Sequence, residues 1–309
     1  MKFLSLFDGI SCGRVAIERV GLPVSEYHAW EINENAIQIS RNNYPDIKRH
    51  GDVTTTDFSK YCGCDLLMGG SPCQGFSSSG KGLNFDDPRS RLFFEFIRAI
   101  KEAEPRYFLL ENVNMRAAWR DTITEYIGVE PILINSALVS AQNRERLYWT
   151  NIPGVTQPPD KGVNLEEILE DTCSTHPEYA GQPLHKATII GRRLDERGVR
   201  QDYNKDISTT QCLEVRRTNT SKSNCLTTVD KDNVLTPLPP GRYPDAFKRG
   251  LPFRYYTTRE YERLQTLPDG YTAGVPDSAA RNALGNAWTV DVIAWILSHI
   301  PKEEDAWML

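Results

Sequence analysis

The stretch FLSLFDGISCG, residues 3–13, joins a short apolar run to a loop that contains two glycines. Residues 3–7 predict a first β-strand, and residues 14–20 predict the helix that follows it. Glycine lets the backbone approach a ligand closely, and the N-terminus of a helix favours a carboxylate or phosphate. Because ligands of open α/β sheets bind where strands end, this stretch predicts both a fold class and the position of a ligand site.

The rest of the N-terminal half alternates apolar runs that are typical of strands with helical patterns. Strands are predicted at residues 27–31, 47–53, 65–69, 107–110, 132–135 and 147–151, and helices at residues 35–43 and 91–103. Such alternation is typical of βαβ units. We therefore predict an α/β fold, a Rossmann-like and mostly parallel sheet with helices on both faces.

Proline and glycine become frequent after this region and indicate a loop-rich insertion. Short strands are predicted inside it at residues 207–215 and 225–235, the second as a hairpin that turns near residues 230–233. Helical patterns return at residues 258–264 and 288–299. The predicted organisation is a main domain at residues 1–154, a small loop- and β-rich domain at 155–250, and a return to the main domain at 251–309.

The chain has 309 residues, of which 39% are hydrophobic, and a formal net charge of -5, so disordered, collagen-like and coiled-coil classes are excluded. Residues 181–260 differ from the rest, because they carry 15 Lys and Arg against 9 Asp and Glu. A basic insertion in an acidic chain indicates contact with a polyanion. A merely solvated basic surface is the alternative.

Targeting and redox features are few. No apolar run approaches the roughly 20 residues that span a bilayer, and the N-terminal run is too short for a signal peptide, so we expect a cytoplasmic protein without membrane contact. The seven cysteines are scattered, which fits reduced thiols. Cys62 and Cys64 form the one tight pair, and no metal site is expected.

Acidic residues follow two further predicted strands. Glu31 ends the second strand, where a carboxylate can accept hydrogen bonds from ribose hydroxyls, and Asp52 ends the third, where it could bind an adenine amino group. Taken singly, each is more often a turn or cap residue. With the loop after the first strand, however, they predict a nucleoside ligand.

A cysteine and a glutamate follow the next two strands. Cys73 lies in Ser71-Pro72-Cys73-Gln74-Gly75, just past the fourth strand, where turn-forming residues place it like a nucleophile. The fifth strand runs straight into Glu111. A cysteine beside a glutamate, without a positioned histidine, suits a thiolate that attacks a heteroaromatic ring while an acid interacts with a ring nitrogen. The alternative for a lone cysteine is a small core side chain.

Five short motifs now make the chain resemble the cytosine carbon-5 DNA methyltransferases in order and spacing. They are Pro72-Cys73-Gln74, Glu111-Asn112-Val113, Gln142-Asn143-Arg144-Glu145-Arg146, Glu262-Arg263-Leu264-Gln265 and Gly285-Asn286-Ala287-Trp288-Thr289-Val290. The stretches at residues 91–96, 139–154 and 287–290 look most like the eukaryotic de novo branch. A chain that starts at the first strand looks more like a bacterial or phage enzyme.

The resemblance implies a class I S-adenosylmethionine-dependent methyltransferase fold and a covalent mechanism. Cys73 would add to carbon 6 of a cytosine, and carbon 5 would then take the methyl group of S-adenosyl-L-methionine, leaving S-adenosyl-L-homocysteine. Glu111 would bind ring nitrogen 3 and the exocyclic amine, and Arg146 the ring carbonyl, while Arg144 supports the nucleophile loop. No side chain is an evident base for the carbon-5 proton, and water is the candidate.

By the same resemblance, thirteen residues are assigned to the cofactor: Phe7, Asp8, Gly9, Ile10, Cys12, Glu31, Ile32, Asp52, Val53, Gly70, Leu92, Asn286 and Trp288. The predicted partner is double-stranded DNA, with no obligate protein partner. Because the target base must be flipped out of the duplex, the polar loop at residues 76–89 is predicted to be a lid. Nine residues are assigned to substrate and DNA contacts: Gln74, Ser77, Asn112, Gln142, Arg192, Arg193, Arg216, Arg217 and Lys222.

Two other functions compete with this prediction. The tRNA-methylating branch of the family carries a Cys-Phe-Thr tripeptide beyond the glutamate motif, and residues 114–119 lack it. A non-catalytic relative would lack the nucleophile, yet Cys73, Glu111 and Arg146 are all present. The recognition sequence and the biological context, whether restriction protection, phage self-protection or gene regulation, leave no separate mark in the sequence.

Overall fold

The computed structural model describes residues 1–71, 91–170, 181–216 and 221–301. Within those residues, seven strands form one sheet in the order β3-β2-β1-β4-β5-β7-β6. All run parallel except β7, which is antiparallel to both of its neighbours. The strands are β1 (Lys2–Leu6), β2 (Glu26–Trp30), β3 (Lys48–Arg49), β4 (Leu66–Gly70), β5 (Tyr107–Val113), β6 (Ile132–Asn135) and β7 (Glu145–Thr150).

Helices cover both faces of this sheet because alternate side chains of the buried strands point to opposite sides. Phe3 packs into a core that includes residues of the helices α1 (Cys12–Arg19), α2 (Glu34–Asn43), α6 (Thr258–Leu264), α7 (Asp277–Asn286) and α8 (Val290–Leu297). Leu4 and Leu6 pack into a second core with α3 (Arg91–Ala103) and α4 (Ala117–Ile127). The predicted doubly covered, mostly parallel sheet is therefore confirmed.

A second, antiparallel sheet has the strand order β11-β9-β8-β10-β12. A short helix, α5 (Leu165–Ile168), precedes this sheet in the chain. Ala187, Ile189, Leu213 and Val234 form its small separate core. Its strands are β8 (His185–Arg193), β9 (Thr209–Val215), β10 (Val234–Thr236), β11 (Gly241–Tyr243) and β12 (Arg254–Tyr255).

Two local predictions were wrong, and several elements were not predicted. The third strand is only two residues long, because Gly51 adopts a positive φ of 74° and Asp52 begins a 3-10 helix at Val53–Thr55. The hairpin near residues 230–233 does not form, since β10 pairs with β8 and β12 instead of with residues 225–229. The strand β8 and the helices α4 and α7 were not predicted, although β8 pairs with β9 over seven residue pairs.

No helix within the described ranges has the length and apolarity needed to cross a bilayer.

Two histidines pack together at the edge of the large sheet. His28 Nδ1 lies 2.9 Å from His50 Nε2, and His28 Nε2 lies 3.1 Å from the Glu26 carboxylate. The two rings stack at 5.1 Å, and Trp30 stacks on His50 at 4.7 Å. Desolvation in this cluster lowers the pKa of both His28 and His50. The pair is therefore neutral at pH 7, one ring donating to the other.

We expect acidification to destabilise the fold through this pair. An unfolded histidine has a pKa near 6.5. Because the folded pKa values lie lower, the unfolded chain binds more protons below that pH, and the free energy of unfolding falls. Urea denaturation at pH 7.5 and 5.5 should show a larger loss for the wild type than for His50→Phe. His185→Gln, at an exposed position of β8, is the control. Equal losses in all three proteins would contradict the prediction.

Candidate active site

A cavity of about 400 Å³ opens at the carboxyl ends of β1, β2, β4 and β5. Most of the residues predicted for catalysis and ligand binding line it, although they come from distant parts of the chain. They are Phe7, Asp8, Gly9, Ile10, Cys12, Glu31, Gly70, Glu111, Asn112, Arg144, Arg146, Asn286 and Trp288. In the described part of the chain, no group of three or more His, Cys, Asp or Glu could hold a metal ion.

The loop after β1 folds tightly around one side of the cavity. Phe7, Gly9 and Ser11 all have positive φ, at 56°, 58° and 62°. Such angles are uncommon for residues with a Cβ atom and are found at ligand sites, where the surrounding structure maintains them. The Asp8 N–H donates to the Trp30 carbonyl, which attaches the loop to β2. The loop backbone is thus held in this shape by its own turns and by its bond to β2.

The Glu31 carboxylate is held by three backbone N–H groups. Its Oε2 accepts from Gly9 at 2.8 Å, and its Oε1 accepts from Ile32 at 2.9 Å and from Asn33 at 2.8 Å. An ionised carboxylate has about four acceptor positions. One position on Oε2 therefore remains for a ligand hydroxyl in the cavity.

Desolvation raises the pKa of two other cavity residues. The Asp8 carboxylate accepts hydrogen bonds from Ser11 and Tyr27. Burial raises the pKa of Asp8, despite these bonds. Burial also raises the pKa of the Cys12 thiol to about 12, so Cys12 is a neutral thiol at pH 7. Cys12 thus acts as a small wall residue and not as a nucleophile.

Glu111 lies at the end of β5 between two side chains that fix both of its oxygens. Arg146 Nε lies 3.0 Å from Oε1, and Trp288 Nε1 donates to Oε2 at 3.0 Å. Gly70 lies beside Glu111 on the neighbouring strand β4. A Cβ atom at this position would lie 2.8 Å from Glu111 Oε2 and 3.0 Å from Trp288 Nε1. Only glycine leaves room for this arrangement.

Arg144 and Gln142 connect the cavity to the rest of the chain. The Arg144 guanidinium donates to the carbonyls of Leu226 at 3.0 Å and Ala287 at 2.9 Å. The Gln142 amide donates to the Leu264 carbonyl at 2.6 Å and is 0% exposed. Gln142 therefore links the segment before β7 to the end of α6, and its assignment to substrate and DNA contacts stays a prediction.

Asn112 lies at the base of the segment that carries the predicted nucleophile. Its Nδ2 donates to Ser71 Oγ at 3.2 Å, and the residue is 1% exposed. Asn112 thus positions the backbone that leads to Cys73. Cys73, Gln74, Ser77 and the predicted lid at residues 76–89 lie outside the described residues.

Four residues predicted for the cofactor do not line the cavity. Ile32 is 71% exposed beside it. The Asp52 carboxylate accepts hydrogen bonds from the backbone N–H and the hydroxyl of Thr54, as the N-cap of a 3-10 helix. Val53 and Leu92 pack in or against the core that contains Leu4 and Leu6. Their contact with a cofactor stays a prediction.

Some of the basic residues predicted to contact DNA bind other groups of the chain, and others are exposed. Arg192 forms ion pairs with Glu214 at 2.9 Å and Asp202 at 3.3 Å, and Lys222 donates to the carbonyls of Ser140 and Val163. These two side chains bind groups of the chain itself, and their contact with DNA stays a prediction. Arg193 is partly buried, Arg216 is exposed, and Arg217 lies outside the described residues.

Sequence reasoning missed one wall of the cavity. It is formed by Asn33, Asn35 and Ala36 of the α2 region and by Ala279, Asn282, Ala283 and Gly285 of α7. The alanine-rich stretch after Pro276 is a signal that could have revealed α7. Cys225 was missed as well, and no local signal pointed to it, since its contacts with Arg144 and Arg146 join residues about 80 positions apart.

Comparisons with known proteins agree on one family. The family described as C-5 cytosine-specific DNA methylase matches residues 1–302. Type II methyltransferase M1.ScrFI of Lactococcus lactis subsp. cremoris is 31% identical over 94% of this chain and 76% of its own length. Type II methyltransferase M.Eco47II of Escherichia coli is also 31% identical, with the same coverage. Orphan methyltransferase M.Rho11sI of Bacillus phage rho11s is 36% identical over 63% of this chain and 43% of its own length.

Solved structures share the fold at lower identity. A mutant of Spodoptera frugiperda DNMT2 superposes with a TM-score of 0.66 at 21% identity, covering 96% of this chain and 98% of that one. The Entamoeba histolytica methyltransferase EhMeth superposes with a TM-score of 0.67 at 16% identity, covering 97% of both chains. With the family match across residues 1–302 and the bacterial relatives, the conclusion follows that this chain belongs to the C-5 cytosine-specific DNA methylase family.

Proposed function

We propose that Cys73, Glu111 and Arg146 are the catalytic residues with which this chain methylates carbon 5 of a flipped-out cytosine in double-stranded DNA. The chain is a DNA cytosine-5 methyltransferase by its family. The observation that supports these residue roles is the Glu111 carboxylate, held between Arg146 Nε and Trp288 Nε1 at 3.0 Å each. It lies beside Gly70 and Ser71, which lead directly to Cys73.

In the proposed reaction, the Cys73 thiolate bonds to carbon 6 of the ring, and the electron pair of the 5,6 double bond moves toward carbon 5. Glu111 binds nitrogen 3 and the exocyclic amine, while Arg146 binds the ring carbonyl, so that charge developing on the ring is stabilised. After methyl transfer, carbon 5 loses its proton to water, and the bond between sulfur and carbon 6 breaks. The thiolate is thereby regenerated.

The cavity fits S-adenosylmethionine. Its volume of about 400 Å³ lies within the range of small-molecule sites. Glu31 keeps one acceptor position on Oε2 for a ribose hydroxyl. Gly9, in the adjoining loop, has no side chain that would occupy the cavity. When bound, the cofactor supplies an electrophilic methyl group and leaves as S-adenosyl-L-homocysteine.

Residues 155–250 are proposed as the target-recognition domain, inserted into a catalytic domain of residues 1–154 and 251–309. The exposed Arg216 is a candidate contact for the DNA backbone. Catalysis requires the base to leave the duplex, since a stacked ring cannot reach a nucleophile at the sheet edge. An activity on DNA supports the proposed location, the cytoplasm of a bacterial or phage-infected cell.

Replacement of the nucleophile tests the mechanism directly. Plasmid DNA incubated with the protein and S-adenosylmethionine should show bisulfite-resistant cytosines at one recurring short sequence. Cys73→Ser should reduce turnover by on the order of 10³-fold or more, because a hydroxyl is a far weaker nucleophile than a thiolate. It should also lose the covalent adduct with DNA that carries 5-fluorocytosine.

Cys62→Ser is the matched control, because Cys62 is an exposed thiol. Undiminished turnover in Cys73→Ser would refute the role of Cys73. A wild-type protein that binds S-adenosylmethionine but methylates no DNA would redirect the search to tRNA, and then to a non-catalytic function.

The role of Glu31 is tested by cofactor binding alone. Glu31→Ala should weaken binding of S-adenosyl-L-homocysteine by about 10- to 100-fold in calorimetry, because a charged hydrogen-bond acceptor is worth about 1.5–3 kcal/mol. Glu34→Ala removes an exposed carboxylate three residues away and should bind like the wild type. Equal affinity of the two variants would show that Glu31 does not contact the ligand.

Gly70→Ala tests the fixed position of Glu111. The added Cβ would overlap Glu111 and Trp288, and such overpacking costs about 1–3 kcal/mol. The rate of methyl transfer should therefore fall by about 10- to 100-fold, because the overlap displaces Glu111 from the position in which it would bind the cytosine ring. Gly241→Ala is the control, because the three atoms nearest to its added Cβ belong to the Tyr243 side chain, which does not line the cavity, and the shortest distance is 3.2 Å. Normal activity of Gly70→Ala would contradict the tight fit.

A further inference from the structure

Residues Lys222–Thr228, here called the junction segment, run from the second sheet across the cavity wall. The segment is bound to the main sheet by its backbone. Ser223 N donates to the Ala141 carbonyl at 2.6 Å, and Asn143 N donates to the Ser223 carbonyl at 3.0 Å. The Leu226 N–H donates to Gln142 Oε1 at 3.3 Å. These bonds place the segment alongside the motif that contains Arg144 and Arg146.

The other side of the junction segment presses against α7. A Cβ atom at Gly285 would lie 2.4 Å from the Thr227 carbonyl oxygen and 2.6 Å from its carbon, so the two backbones are in direct contact. Gly285 also lines the cavity. The junction segment therefore contacts residues 141–143 on one side and Gly285 of α7 on the other.

The second sheet holds the same segment from its own side. Asn233 Nδ2, next to β10, donates to the Cys225 carbonyl at 3.1 Å. Lys186, on β8, donates to the Lys222 carbonyl at 2.5 Å. A movement of the second sheet on DNA must consequently act on the backbone of Cys225.

The Cys225 thiol points at both motif arginines. Its sulfur accepts from Arg144 Nη1 at 3.4 Å and from Arg146 Nη2 at 3.9 Å, while the thiol donates to the Leu226 carbonyl at 3.4 Å. Cys225 is partly exposed and not disulfide-bonded. The thiol is thus neither a core side chain nor a crosslink.

The two guanidiniums repel each other, since they are like charges two residues apart, with Arg144 just before β7 and Arg146 on it. Burial, followed by the charge of Arg146, lowers the pKa of Arg144. A sulfur acceptor shared by both groups offsets part of this repulsion and limits the directions that Arg146 can take while its Nε stays on Glu111.

We propose that Cys225 is a positioning residue for Arg146, through which the proposed target-recognition domain sets the orientation of the guanidinium that binds the cytosine ring. This inference rests on the proposed function. It predicts an effect on the reactive step, because Arg146 would contact the ring and not the cofactor. Loss of one weak hydrogen-bond acceptor is expected to lower kcat by about 3- to 10-fold.

The test compares Cys225→Ala, Cys225→Ser and wild type on a duplex that carries the sequence found by bisulfite sequencing. Cys225→Ala should lower kcat by about 3- to 10-fold while the KM for S-adenosylmethionine stays within about twofold. Cys225→Ser keeps an acceptor atom and should recover most of kcat. Cys212→Ala is the control, because Cys212 is a buried thiol of the second sheet that contacts the Thr210 carbonyl.

Each other result has a definite meaning. An inactive wild type would refute the proposed function itself and is seen before any variant is measured. With an active wild type, an unchanged kcat in Cys225→Ala would overturn the positioning role. So would an equal loss in the Ala and Ser variants accompanied by a lower Tm, which would show a purely structural role. A rise confined to the KM for DNA would instead indicate a direct DNA contact and also overturn the proposal.

Discussion

The arrangement of the active site depends on one buried ion pair, between Glu111 at the end of β5 and Arg146 on the antiparallel neighbour β7. The two side chains are 11% and 15% exposed, so each charge needs the other. Removing one partner of such a pair costs about 3–5 kcal/mol, because the remaining charge stays buried. Trp288 adds a third group, which ties the C-terminal part of the chain to the same carboxylate. In the antiparallel register of β5 and β7, Arg146 lies opposite Val113, two residues from Glu111 and therefore on the same face of the sheet.

The same constraint explains the distribution of glycine and buried polar groups around the cavity. Gly70 and Gly285 occur where a Cβ would collide with a carboxylate or with backbone, so both walls close tightly. Gln142 donates to the last carbonyl of α6, and Arg144 donates to carbonyls of the junction segment and of Ala287, the residue that follows α7, so these two side chains link the three elements. Polar side chains of residues 142–146 thus both connect separate parts of the chain and shape the cavity.

Some of the basic residues of the second sheet form ion pairs within it, whereas composition predicted contact of this region with a polyanion. The net positive charge of residues 181–260 is real, but Glu214 accepts from both Arg192 and Arg242 within the sheet. Those bonds lower the pKa of Glu214 to about 2. Part of the basic surplus therefore stabilises a small domain whose own core is limited, and only exposed residues such as Arg216 are available to a polyanion.

The sequence by itself determined the first strand with the loop that follows it, the succession of strands along the first half of the chain, and the placement of Glu31 and Glu111 near two strand ends, because these follow from local periodicity and short motifs. It also predicted α3 and α6 at the bounds observed, since both have a regular apolar face or a capping box. Only the tertiary structure decided that Trp288 contacts Glu111 across 177 positions, that Cys225 contacts both arginines, and that Arg192 is spent on Glu214. Such pairings depend on how separate elements pack, and no local pattern records which distant side chain will lie opposite.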